Sequence, residues 1–213
     1  MSTPLVIAID GPAGSGKSTV ASALAGRLSL ATLDTGATYR AVAAAVVERG
    51  IDPEDASAVA KVAKGATIEI EGRVIIDDLD VTDHLRRPTI NQAVSLVAAN
   101  PAVRDAMVAF QRSWVAAHQG GVVEGRDIGT VVFPDAPIKL YLTASPEERA
   151  RRRSEEGLAS IERRDLLDST RASSPLAQAD DALAIDTTTT SVEVIVNLVM
   201  AHIEELGGNC DER

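Results

Sequence analysis

Cysteine is almost absent from this chain: Cys210, near the C-terminus, is the only one in 213 residues. A single thiol closes no intrachain disulfide, so packing and hydrogen bonds must hold the fold. Aromatic residues amount to 2%, namely Tyr39, Phe110, Trp114, Phe133 and Tyr141, so an aliphatic core of Ala, Val, Leu and Ile is expected. No apolar run reaches the length of a membrane-spanning helix. Positive charge is scarce as well: 21 Lys and Arg against 31 Asp and Glu leave a formal charge of −10. That balance argues against nucleic acid or an anionic membrane as the main partner. His84, His118 and His202 show no ligand spacing and are read as bystanders. Neither an internal repeat nor a low-complexity tract is present.

Against these absences, one stretch stands out near the start. Gly11-Pro12-Ala13-Gly14-Ser15-Gly16-Lys17-Ser18 fits the pattern G-x-x-x-x-G-K-[ST], and Thr19 follows. Its flanks fit too. Leu5–Ile9 is a short apolar run typical of a strand buried on both faces, and Val20, Ala21, Leu24, Ala25 and Leu28 recur at helical spacing behind it. Strand, glycine-rich loop and helix together make a phosphate cradle. Glycines let backbone N–H groups converge on anionic oxygens at the positive end of the helix. Lys17 can reach the β- and γ-phosphates and the Ser18 hydroxyl can ligate Mg²⁺, so the chain is expected to bind a nucleoside triphosphate.

Further strands are expected at Ala31–Leu33, Gly121–Glu124, Ile138–Leu142 and Ala182–Ile185. Helical patterns lie at Lys17–Leu28, Ala37–Glu48, Thr89–Ala99, Ala102–Ala117, Pro146–Glu155, Ile161–Ser169 and Val192–Leu206. The alternation implies an α/β fold, a parallel sheet with helices on both faces, with ligands at the carboxyl ends of the strands. Thr67–Asp77 breaks this rhythm. It alternates around Glu71-Gly72 and reads as an antiparallel hairpin within an insertion from about Ile51 to Leu85. The stripe Val103, Met107, Phe110 and Trp114 reads as core. The first strand leaves no room for a secretory leader, so a cytoplasmic location is expected.

A phosphate loop alone does not choose between kinase, motor and switch. Three further stretches narrow the choice: Asp34–Arg40 (DTGATYR), Gly125–Pro137 (GRDIGTVVFPDAP) and Arg164–Arg171 (RDLLDSTR). In the last, Arg164, Asp168 and Arg171 share a helical face at spacings of four and three. With Gly11–Thr19, and with the hairpin between the second and third, these motifs resemble the bacterial cytidylate kinase family over nearly the whole chain. The resemblance implies a nucleoside-monophosphate kinase core, 1–213 as one domain. It also implies an acceptor-binding region near 34–118, its hairpin near 65–82, and a short lid near 150–165.

What the resemblance implies about function is concrete: ATP as donor with Mg²⁺ on Ser18, CMP or dCMP as acceptor, and a monomer. Lys17, Arg126 and Arg164 are the implied catalytic residues. Gly11, Pro12, Ala13, Gly14, Ser15, Gly16, Lys17, Ser18, Thr19 and Arg153 are the implied ATP contacts. On the acceptor side, Arg40 and Arg126 match phosphate clamps, where a guanidinium fork suits a phosphate dianion. Ser95, Arg104 and Asp127 match cytosine contacts and Asp168 a ribose contact, with Thr35, Tyr39, Arg164 and Arg171 completing the pocket. Arg149 is a further candidate around the transferring group. Three departures are visible. The stretch Ser154–Arg163 is a short lid, Thr38 replaces an apolar residue, and Leu167 stands where some members carry arginine. Kinases for UMP, dephospho-coenzyme A or shikimate are near rivals, which Asp127 with Arg104 would separate. A nucleotide-dependent switch is another, but it leaves Arg40, Arg126 and the lid arginines without a task.

Overall fold

Alternate residues of β1 (Leu5–Asp10) divide between two aliphatic layers. Ile7 and Ile9 pack with Val20 and Leu24 on one side, and Val6 and Ala8 with Leu33 and Trp114 on the other. The computed structural model describes residues 4–153, 158–171 and 173–208, and the side chains of all these except 158, 160, 164 and 206–208. Cys210 and Glu155 lie outside the described residues.

From β1 the chain passes through the phosphate loop into α1 (Lys17–Leu28), β2 (Thr32–Asp34) and α2 (Thr35–Glu48). Next come α3 (Ala56–Gly65) and the short strands β3 (Ile68–Ile70), β4 (Val74–Ile76) and β5 (Leu79–Asp80). Helices α4 (Pro88–Ala99) and α5 (Pro101–Ala117) lead back to β6 (Gly120–Gly125). A π turn over Ile128–Val132 separates β6 from β7 (Ile138–Thr143), and α6 (Pro146–Arg152), α7 (Leu158–Ser169), β8 (Leu183–Asp186) and α8 (Val192–Gly208) follow. The main sheet has the order β2-β6-β1-β7-β8 and is parallel throughout. α1 and α8 cover one face. Trp114 and Val115 of α5 and the π turn cover the other. No single helix among the described residues is long and apolar enough to cross a membrane.

The scarcity of aromatics shows in α2. Ala41 to Val46 are all buried, so this helix is apolar all round and enclosed on every side, as such a sequence requires. Its start differs from the expected Ala37. Asp34 caps it by accepting from Ala37 N at 3.3 Å, which begins the helix at Thr35.

The insertion holds more structure than the hairpin expected there. α3 is nucleated by Asp55, whose carboxylate accepts from Ser57 N and Ala58 N at 3.1 and 3.0 Å, and it buries Val59, Val62 and Ala63. β3 and β4 pair antiparallel as expected, and β5 adds a third strand. Ile76 pairs with Leu79, leaving Asp77-Asp78 as a two-residue turn with φ of 47° and 66°. Two residues at positive φ are what a tight hairpin turn of this hand demands, and Asp tolerates it.

Gly120 sets the spacing of β1 and β6. Its φ is +127°, and a Cβ there would sit 2.5 Å from the Leu5 carbonyl oxygen. Gly120→Ala is therefore expected to destabilise the fold by about 3 kcal/mol. A urea titration checks this, with a lower midpoint and an unchanged slope as the expected outcome.

Candidate functional site

The register of the parallel strands brings the chemistry together. Asp10 pairs with Gly125 and Asp34 with Glu124, so β1, β2 and β6 end side by side and release their loops at one sheet edge. There lies a cavity of about 470 Å³, within the range that suits small ligands.

Two groups of side chains line it. The first surrounds Lys17, which is buried and donates through Nζ to the Pro12 carbonyl at 2.8 Å. Burial, with help from the Arg126 and Arg153 guanidiniums, pushes the Lys17 ammonium down to about 7, against the pull of Glu124 and Asp34. Burial and the neighbouring Asp34 push the Glu124 carboxyl up to about 7, and Lys17, the Ser18 hydroxyl and Arg126 oppose the shift. The second group centres on the buried ion pair of Arg104 with Asp127. The Arg104 guanidinium lies 5.4 Å from the Tyr39 ring centroid, a cation–π distance. Arg126 joins the two groups, since its Nε donates to Asp168 Oδ2 at 2.8 Å, and Arg171 NH2 stands 3.5 Å from Asp168 Oδ1.

Several buried donors here have no hydrogen-bond partner among the described residues: Arg104 Nε and NH1, Arg171 NH2 and the Tyr39 hydroxyl. Buried polar atoms left unsatisfied cost about 1–3 kcal/mol each, and these belong to residues that line the cavity, where a ligand with acceptors would meet them.

Of the residues expected at the site, Gly14, Gly16, Lys17, Ser18, Thr19 and Arg153 line the cavity on the loop side. Thr35, Tyr39, Arg40, Ser95, Arg104, Arg126, Asp127, Asp168 and Arg171 line it too. Gly11, Pro12, Ala13 and Ser15 do not; they form the back of the loop. Arg164 belongs to α7, but its side chain lies outside the described residues. Arg40 donates through NH1 to the Leu85 carbonyl at 2.7 Å and to Asn91 Oδ1 at 2.6 Å, tying α2 to the start of α4.

Arg149 corrects an expectation. It is buried behind the phosphate loop rather than lining the cavity, paired with Asp165, and donates to the Ala13 carbonyl at 3.2 Å. Ala13 N donates in turn to Asp165 Oδ1 at 3.3 Å, so α6 and α7 hold both backbone groups of Ala13. Gly14 makes this approach possible, because at its φ of +78° a Cβ would meet the Arg149 carbonyl oxygen at 2.9 Å. Arg152 lines the cavity instead, anchored to the Thr187 carbonyl at 2.7 Å and to Glu148 at 2.8 Å. Thr38 does more than fill space. Its hydroxyl donates to the Thr35 carbonyl at 2.7 Å and accepts from fully buried Gln111 at 3.1 Å.

Sequence reasoning also passed over Glu124, Asp34 and Arg86 as cavity residues. For Glu124 a signal existed, since it is the one charge in the run Gly-Gly-Val-Val-Glu-Gly.

Comparison with known proteins places the fold first. A gluconokinase from Sinorhizobium meliloti, 17% identical, matches with a TM-score of 0.53 over 99% of this chain and 97% of its own. A putative kinase from Chloroflexus aurantiacus, 18% identical, matches at 0.50 over 96% and 98%. The chain thus shares the fold of these two proteins. The cytidylate kinase family model matches residues 7–205. Cytidylate kinases of Pelotomaculum thermopropionicum and Geobacillus kaustophilus are 47% and 46% identical, over 92% and 96% of this chain and 95% and 99% of their own. That of Mycobacterium leprae is 48% identical over 92% and 95%. The chain belongs to the cytidylate kinase family, and it is an ATP-dependent kinase.

Asp10, at the end of β1, offers a pH test of the buried electrostatics. Burial raises its carboxyl from 3.8 to about 6; Asp127 adds to the rise, while the N–H groups of Gly129 and Ile128 and the charge of Lys17 oppose it. Tyr141, also near Asp10, has its own hydroxyl shifted upward and stays neutral in this range. Between 3.8 and 6 the folded state holds a proton that the unfolded chain releases. The stability contributed by this group is therefore full below the lower value and lost as pH rises through the upper one. The difference in urea stability between wild type and Asp10→Asn should shrink across that window as pH rises.

Proposed function

We propose that this chain transfers the γ-phosphoryl group of ATP to CMP, and to dCMP, giving ADP and CDP or dCDP. The observation that carries the reading is the buried Arg104–Asp127 pair, which lines the same cavity as Lys17 and its phosphate loop. Cytosine presents an N4 amino donor beside the acceptors N3 and O2. Asp127 accepts from the amino group while Arg104, whose Nε and NH1 lack partners among the described residues, donates to the ring edge. Uracil presents O4 and N3–H there and leaves Asp127 facing an acceptor, a mismatch that discriminates strongly. Asp168, held by Arg126 and Arg171, stays paired when the sugar lacks its 2′-hydroxyl, which favours acceptance of dCMP.

In this reading residues 34–118 bind the acceptor, and the lid that excludes water is 150–165, of which 154–157 lie outside the described residues. Thr35, Tyr39, Ser95 and Arg171 shape the acceptor wall, and Arg40 and Arg126 hold the CMP phosphate. Gly11–Thr19 and Arg153 hold the donor. The acceptor oxygen is already an anion, so no strong base is needed and catalysis rests on alignment and charge stabilisation. Lys17, Arg126 and Arg164 supply the positive charge around the transferring group. The donor set at the loop mouth suits a hard cation, since the Ser18 hydroxyl bonds toward the Glu124 carboxylate with Asp34 beside them. Ser18 would hold Mg²⁺ there with waters and the nucleotide, and the ion would screen the phosphate charge. The charge of −10 disfavours a polyanionic partner, and in this reading the protein works as a cytoplasmic monomer on free nucleotides.

A coupled assay of ADP release with each nucleoside monophosphate tests the reading. CMP and dCMP should be preferred, and a preference for UMP would overturn it. Asp127→Asn should lower the CMP-to-UMP ratio in kcat/KM on the order of 10²-fold. Lys17→Ala should lower turnover on the order of 10³-fold in a protein that still folds.

A further inference from the structure

The π turn that follows Asp127 begins, like any helical segment, with backbone N–H groups lacking partners within the turn. Asp127 stands at the capping position but makes no capping bond, because its carboxylate is committed to Arg104. The capping comes from another strand. Asp10, only 4% exposed, accepts from Ile128 N at 2.8 Å through one carboxylate oxygen and from Gly129 N at 2.7 Å through the other. It is the last residue of β1, immediately before Gly11.

We propose that Asp10 is a positioning residue that fixes the Arg126–Asp127 loop to the root of the phosphate loop, leaving Asp127 available to read the acceptor base. The inference rests on the reading of the site given above. One carboxylate thereby links the two halves of the reaction: its backbone leads into the donor cradle, and its side chain sets the height of the base-reading carboxylate. Asp127 and Lys17 are the charged groups that face Asp10. Gly129 is pressed between Asp10 and Lys139, where a Cβ would lie 3.5 Å from Asp10 Oδ2 and 3.1 Å from Lys139 Cδ, so the turn has little room to shift.

Asp10→Asn replaces one acceptor oxygen by an amide that repels the N–H it meets, and Asp10→Ala removes both. Steady-state kinetics with CMP and UMP should show KM for CMP rising on the order of 10-fold in the first variant and further in the second. The CMP-to-UMP ratio in kcat/KM should fall by a similar factor, while KM for ATP moves by no more than about 2-fold. Amide hydrogen exchange should accelerate at Ile128 and Gly129 in Asp10→Asn, a near-isosteric change that serves if the alanine variant does not fold. If both variants lose turnover only in proportion to their folded fraction, with KM for CMP and the base ratio unchanged, the carboxylate is merely structural and the proposal is wrong. Equal rises in the two KM values would overturn it as well. A wild-type protein that fails to phosphorylate CMP would instead defeat the proposed function.

Discussion

Parallel pairing of β2, β6 and β1 is the constraint on which the rest depends. It sets Asp34 beside Glu124 and Asp10 beside Gly125, although more than half the chain separates the first strand from the second partner. Because side chains alternate along a strand, a slip of one residue would turn Glu124 to the opposite face and carry Arg126 and Asp127 out of line with the phosphate loop. β1 is apolar on both faces, so what resists the slip is the size of its side chains. Ile7 and Ile9 fill one layer, Val6 and Ala8 the other, and both layers are dry. Packing thus determines where charge is delivered.

The delivered charges are then balanced locally. Among the described residues, the buried cations at the site and behind the phosphate loop have anions near them: Lys17 has Glu124, Arg104 has Asp127, Arg126 has Asp168, and Arg149 has Asp165. Ions this deeply placed would otherwise lose several kcal/mol each to desolvation. The pairings explain how an aliphatic domain with few aromatics tolerates so many arginines at one edge. They also separate two kinds of arginine. Arg149 and Arg152 bind carbonyl groups at Ala13 and Thr187 and brace the phosphate loop, whereas Arg104, which lines the cavity, keeps Nε and NH1 without a hydrogen-bond partner among the described residues.

Much of this was legible in the sequence because it is encoded locally. Glycine spacing before Lys17 announces a phosphate loop wherever it occurs between a strand and a helix, and Asp127 and Arg40 sit in short runs of distinctive residue types. The parts that were missed depend on neighbours distant in sequence. Arg149, Arg151, Arg152 and Arg153 look alike in a string, and only the phase of α6 against the phosphate loop decides which of them reaches the cavity. The π turn after Asp127 has no local signature, since its cap is supplied from β1. α3 was different. Asp55 before an Ala- and Val-rich stretch is a helix-start signal that is legible locally, beside the stronger alternation of the nearby hairpin.

The grip on Ala13 and Ser15 has a consequence for how the protein is made. Ala13 is held by Asp165 and Arg149, 152 and 136 positions further along, and the Ser15 carbonyl by Thr187, 172 positions further. Closing contacts of such long range is entropically late and slow. During synthesis the nucleotide cradle therefore leaves the ribosome long before the residues that hold it, and sets into shape only once they have followed. A nascent chain carries the motif well before it has the pocket.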